Sequence, residues 1–234
     1  MINKKKITLS LATLQEFDGI LTHGFFDWKQ PMTYLSAAIR WFTKDYYNHT
    51  KVVLRITDWL INYANAHNKY SPDNKIDMTN AIVGNLCLIE AVQEGVVLDF
   101  NIEENILNEQ ICHKRNNLLK TLVTSEEIQE YRERAYFTVG KPYDIRGCLL
   151  NQLILQISEK LESPVSEIIG SDVELDVWIG NQGVKETSSF YCSKVYTFIN
   201  EPAYPEWWDK SPADIHVNPQ EITINEGFVK FITK

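Results

Sequence analysis

The chain has 234 residues, enough to bury most of its apolar surface in one core; its 44% hydrophobic and 23% charged content is that of a folded domain and excludes disordered or fibrous classes. A formal net charge of −8, spread along the chain, opposes a polyphosphate backbone, so nucleic acid is not an expected partner. No apolar run approaches the roughly 18–20 residues that cross a bilayer, which argues against an integral membrane segment.

At the N-terminus, Lys4, Lys5 and Lys6 precede the apolar stretch Ile7 to Leu14. That stretch is short, carries Thr8, Ser10 and Thr13, and runs into Gln15 and Glu16 with no small-residue cleavage site, so no signal peptide is expected. Asp18-Gly-Ile-Leu-Thr-His-Gly24 reads as a strand and turn. Pro31 at a favoured first helical position, followed by Tyr34, Leu35, Ala38, Ile39 and Phe42 at helical spacing, predicts a helix. His49 opens Lys51-Val-Val-Leu-Arg-Ile56, a β-branched run that predicts a strand buried on both faces, and a second strand is expected from about Leu86 to Ala91. Between them the polar, turn-rich residues 62–80 read as an excursion; antiparallel pairing of the two strands would bring His49 near Glu90.

Gly95 and Val96-Val-Leu98 suggest a hairpin extending the sheet. Thr124 with Glu127 forms a capping-box pattern and Gly140 a C′ signal, which predicts a helix of about four turns between them. Leu149 to Leu161 reads as amphipathic and residues 163–183 as an acidic insertion. Ser189 to Ile199 reads as a helix with Cys192 in its first turn and Cys192, Val195, Tyr196 and Ile199 on one face. Glu221 to Ile232 alternates like a final strand or hairpin. The whole chain, residues 1–234, is expected to be one α+β domain with insertions near 62–80 and 145–187.

A thiol in the first turn of a helix feels the positive end of the dipole and unpaired N–H groups, which favour the thiolate; this marks Cys192 as a candidate nucleophile. A small buried apolar residue is the commoner fate of a lone cysteine. His49, at the mouth of an apolar strand, is a candidate acid/base, or else a satisfied strand-end histidine. Glu90 stands inside the apolar sequence Leu86-Cys-Leu-Ile-Glu-Ala91, where a carboxylate needs a partner, and an imidazole N–H is the obvious one. Carboxylate, imidazole and nucleophile form the three-part arrangement of acyl-transfer sites.

Other chemistry gains less support. His67 falls in the polar excursion, His113 in a basic, surface-like stretch and His216 in a C-terminal turn, while His23 at most lines the cleft. Cys87, Cys112, Cys148 and Cys192 are widely and irregularly spaced with no C-x-x-C pair, and the histidines share no metal-ligand spacing with other ligands; neither a metal nor a dense disulfide framework is expected. Ser189 and Ser193 lie outside any G-x-S-x-G frame, and there is no glycine-rich phosphate loop and thus no expected coenzyme. Tyr204, Trp207 and Trp208 read as a packed lid or a substrate wall.

Taken together, Asp18-Gly-Ile-Leu-Thr-His23, Tyr47-Asn-His-Thr50, Ile89-Glu-Ala91 with Gly95-Val96, Gly140-Lys-Pro-Tyr-Asp144, Phe190-Tyr-Cys-Ser193 and Ser211-Pro-Ala-Asp214 resemble the permuted branch of the NlpC-type papain-like superfamily, the YiiX/YaeF-like hydrolases. The order carries the resemblance: this branch runs histidine, polar residue, cysteine, as do His49, Glu90 and Cys192. It spans about residues 17–219. The resemblance implies a permuted papain-like fold, an antiparallel sheet or open barrel packed against the helix that bears the cysteine. It implies His49 as base, Glu90 as its orienting group and Cys192 as nucleophile, with Tyr191, Tyr47 and His23 beside the substrate. Two positions differ from the family's usual pattern: Lys194 replaces a glutamate after Cys-Ser, and Lys51 replaces a glycine two residues after the histidine.

The expected activity is cleavage of an amide bond in a small peptide or peptidoglycan fragment through a thioacyl-enzyme. A lipid acyltransferase or thioesterase of the same fold is the alternative among enzymes; the lecithin:retinol acyltransferase family shares the order but usually pairs its cysteine with two histidines and an Asn-Cys motif, unlike Glu90 and Tyr191. A silent structural or binding module, for instance phage- or virion-associated, is the alternative outside enzymes, and the location expected is cytoplasmic or virion-associated.

Overall fold

Among the described residues, short runs of β-branched and apolar residues punctuated by glycine and polar turns give seven strands: β1 (Lys6–Leu9), β2 (Gly19–Thr22), β3 (His49–Arg55), β4 (Leu86–Val92), β5 (Gly95–Asp99), β6 (Gln110–Asn116) and β7 (Glu221–Phe231). The computed structural model describes residues 6–23, 37, 45–107, 109–121, 124–144, 148, 189–201, 204 and 212–231. In it the strands form one sheet in the order β1-β7-β6-β2-β3-β4-β5. Helices α1 (Asp58–Tyr70), α2 (Ile102–Ile106), α3 (Ser125–Thr138), α4 (Cys192–Ile199) and α5 (Pro212–Val217) complete an α+β fold. The expected helix after Pro31, the stretch 149–161, the insertion 145–187 and the two tryptophans fall almost wholly outside the described residues.

The sheet is mixed rather than antiparallel throughout. β2 to β7 pair antiparallel, but β1 lies parallel to β7, Lys6 opposite Phe228 and Leu9 opposite Phe231. Within the N-terminal stretch Lys6–Leu9 is thus a sheet strand, with Leu9 buried.

The period-two alternation of strands divides the core between the two faces. Leu21, Val52, Leu54, Cys87, Ile89 and Cys112 face one side, where they pack with Leu60 and Ala64 of α1, Tyr131 and Ala135 of α3 and Val195, Tyr196 and Ile199 of α4. Ile20, Val53, Leu88, Ile111 and Val229 face the other, covered by Ile102 and Ile106 of α2 and by Leu14. α4 lies against β3 closely enough that its helical face is not the only part buried: Ser193, Lys194 and Thr197 are buried too. Close approach is secured at Gly19, where a β-carbon would stand 2.6 Å from the Tyr196 ring.

Two expectations are corrected. Residues 62–80 do join the neighbouring strands β3 and β4, but they are not turn-rich throughout, because α1 occupies 58–70; the Thr57 side chain caps the Leu60 N–H and the i, i+4 pair Leu60 and Ala64 is buried. The asparagines at 62, 65 and 68 are poor helix formers, and packing overrides them. His113 is not on a basic surface stretch: β6 lies between β7 and β2, and His113 is fully buried with Nε2 2.7 Å from Asp18 Oδ2. Arg115 donates to both Asp18 oxygens at 2.7 Å, and Lys114 reaches Thr223 Oγ1 at 3.0 Å. Paired charges can be buried where isolated ones cannot.

Candidate active site

β3 and β4 pair with Lys51 opposite Glu90. His49 lies two residues before Lys51, on the same face and diagonal to Glu90, which is within reach of long side chains. Its Nε2 stands 3.1 Å from Glu90 Oε2. Two further groups hold that carboxylate: Lys51 Nζ at 3.3 Å from Oε2, and Asn105 of α2, whose amide donates to Oε1 at 3.3 Å. Asn105 in turn accepts from Lys51 and donates to Asp99. Burial alone would raise the Glu90 pKa, but His49 and Lys51 outweigh it and bring it down to about 2.

Cys192 is the first residue of α4, after Tyr191 at the N-cap, and is 6% exposed. His49, the first residue of β3, stands at the end of the sheet, where its imidazole also hydrogen-bonds the Cys192 thiol. Because Nε2 is engaged by Glu90, Nδ1 is the ring nitrogen left for the sulfur. The sulfur lies 3.9 Å from the Asn48 carbonyl oxygen and receives backbone N–H groups of Thr50 and Ser193. Burial opposes the thiolate, yet the His49 charge and these N–H groups hold the Cys192 thiol below its ordinary value. For His49, burial favours the neutral ring, while the Cys192 and Glu90 anions push its pKa up to about 9. Thiolate and imidazolium therefore favour one another, with Glu90 fixing the ring.

Tyr191 is fully buried and packs with Tyr143 and Cys148 beneath the start of α4. Tyr47 is buried with its hydroxyl directed to the Ile111 carbonyl at 3.2 Å and to Glu226 Oε1 at 2.9 Å, toward β6 and β7. His23 packs its ring on Tyr46, centroids 4.2 Å apart. The structure thus joins Cys192, His49 and Glu90, while the Tyr47 hydroxyl reaches β6 and β7.

Several groups that shape the site are not apparent from the chain. Lys51 shares a strand face with His49 by period two, a signal present in the sequence but readable only once Glu90 is known to sit opposite. Lys194 is fully buried, its ammonium 3.0 Å from Asp144 Oδ2 and 3.0 Å from the Ser189 carbonyl oxygen. This pair ties the first turn of α4 to the segment after Gly140, where Phe190 and Tyr143 form a parallel bridge. Asn105 and Asp99 come from a short helix and a strand end that nothing local marks as functional.

In comparisons with known proteins, no family model matches the chain and no curated protein matches it.

Proposed function

We propose that the protein is a cysteine hydrolase of the permuted papain-like type, cleaving an amide bond in a small peptide or peptidoglycan fragment. The observation that carries this reading is the His49 ring, bonded to Glu90 on one side and to a thiol at a helix start on the other. In the first half-reaction the Cys192 thiolate attacks the substrate carbonyl carbon, and the carbonyl electrons move onto oxygen, facing the N–H groups at the start of α4. Collapse breaks the C–N bond as His49 gives its proton to the departing amine, leaving a thioester on Cys192. In the second, His49 takes a proton from water as its oxygen attacks the thioester, and the Cys192 thiolate leaves with the acid product. Esters and thioesters of lipids would be cleaved by the same steps.

The test is the rate of Cys192 alkylation by a small haloacetamide between pH 5 and 9, followed by peptide mass spectrometry in wild type and His49→Ala. Rapid labelling below neutral pH that is lost in the variant supports the reading. Slow labelling indifferent to His49 overturns it in favour of a binding module. Peptide, peptidoglycan and lipid libraries, with Cys192→Ala as the inactive control, then separate amidase from acyltransferase or thioesterase.

A further inference from the structure

A second cluster of ligating side chains lies away from Cys192. On the sheet, Cys112 of β6 is the direct cross-strand partner of Glu226 of β7, and directly opposite residues project from the same face. α5 brings His216 over this pair. One donor atom from each of Cys112, His216 and Glu226 lies within 4.8 Å of the others. His216 Nε2 is 3.7 Å from Glu226 Oε1, and the imidazole also bonds the Cys112 sulfur.

What distinguishes the cluster from a chance meeting is how its members are held. His216 Nδ1 donates to Asp45 Oδ2 at 2.8 Å, which turns Nε2 inward, and Asp45 is itself fixed by the Tyr47 backbone N–H at 2.9 Å. The Tyr47 hydroxyl donates to Glu226 Oε1 at 2.9 Å, and its ring packs edge-on to the His216 ring. A carboxylate on the far nitrogen of a histidine, and a hydroxyl on a carboxylate, are the outer contacts that orient metal ligands.

We propose that Cys112, His216 and Glu226 bind one divalent transition ion of the zinc class, with a fourth position open to water. Thiolate and imidazole donors select zinc or cobalt(II) over calcium or magnesium, which take oxygen ligands. Cys112 is buried and forms the floor, while half-buried His216 and exposed Glu226 form the solvent side through which an ion enters. On binding, the thiol proton is released to solvent and the ion takes its place between sulfur, nitrogen and oxygen. Ligation joins β6, β7 and α5. Spacing along the chain is blind to the site because each ligand comes from a different element.

The thiol, imidazole and Asp45 also have the makings of a second nucleophile, but Cys112 is fully buried in mid-strand and the Glu226 carboxylate opposite it repels a second anion. The test is cobalt(II) titration of the full-length Cys192→Ala chain, in which any thiolate-to-metal charge-transfer band arises away from the proposed catalytic thiol. One equivalent with that band, lost in Cys112→Ser and weakened at least about tenfold in His216→Gln and Glu226→Gln, supports the site. At one fixed zinc concentration the unfolding temperature of the wild-type chain is then expected to rise by more than that of the Glu226→Gln chain, a conservative change at an exposed position that preserves the fold. No band in the Cys192→Ala chain, or a band indifferent to His216 and Glu226, overturns the proposal. So does rapid alkylation of Cys112 that zinc leaves unchanged, which points instead to the nucleophile.

Discussion

At the scale of the residue, the chemistry rests on the mutual dependence of two charges. The Cys192 thiol loses its proton below its ordinary value because a cation faces it, and His49 keeps its proton up to about 9 because anions face it from two sides. The thiolate–imidazolium pair therefore persists between the lowered Cys192 value and about pH 9, and the rate of the proposed hydrolysis should fall on both sides, the alkaline limb marking His49. Glu90→Gln removes one of those anions. The expected outcome is an alkaline limb at lower pH and turnover lower by roughly 10²-fold, since the ring loses both its orienting partner and part of its proton affinity. Measuring kcat/KM against pH in both proteins checks this, and an unmoved alkaline limb would mean that Glu90 does not act through His49. Lys51, on the same carboxylate oxygen as His49, helps keep Glu90 ionised, and Asn105, on the other oxygen, helps hold it in place.

At the scale of the element, a helix is stabilised at its ends as well as along its face. Thr124 accepts the Glu127 N–H, and Glu127 Oε2 receives the Thr124 N–H at 3.0 Å, a reciprocal capping box. Thr124→Ala should cost about 1 kcal/mol, or roughly 2–4 °C in unfolding temperature for a chain of this size. A change well below that in thermal denaturation would show that the helix end gains nothing from its cap. The same box explains why α3 was legible from sequence: both of its signals, Thr124 with Glu127 and Gly140 at φ +77°, are local. The pairing of β3 with β4 was legible for a related reason, two apolar runs one excursion apart, and with it the meeting of His49 and Glu90. β6 was not, because Gln110-Ile-Cys-His-Lys-Arg-Asn116 becomes a central strand only through partners far along the chain, above all Asp18. α1 does not show in the local pattern, because buried Leu60 and Ala64 outweigh a polar composition that favours turns. Lys194 gave no sign of burial, since Asp144 lies 50 residues away. What the sequence lacks in each case is a long-range partner, and the Cys112, His216 and Glu226 cluster lacks any chain proximity at all.

At the scale of the whole molecule, one buried carboxylate links sheet, helix and loop. Glu221 begins β7 and accepts from Tyr196 of α4 at 2.8 Å and from Tyr204 at 3.0 Å. Burial is the dominant influence and raises its pKa from 4.5 to about 7; the two hydroxyls and Lys114 act against that rise, and Asp18 adds to it. A carboxyl whose folded value is raised gives the opposite of the usual acid denaturation. Below the unfolded value of 4.5 the group is protonated in both states and imposes no cost; as pH rises toward 7 the unfolded chain loses the proton first, and the folded state is progressively disfavoured. Above that the penalty is constant. Glu221→Gln keeps an acceptor for the tyrosine hydroxyls without a charge to bury, so the variant should be as stable as wild type near pH 4 and more stable by a few kcal/mol, in order of magnitude, at pH 8. Denaturant unfolding of the two proteins across that range reads the difference directly, and taking it between them cancels opposing groups such as Glu90, whose lowered value supports stability above the unfolded range and withdraws it as pH falls toward about 2. A difference that stays flat from pH 4 to 8 would mean that Glu221 is as well solvated in the folded chain as in the unfolded one, and that α4 is held to β7 by the tyrosine rings rather than by a buried charge.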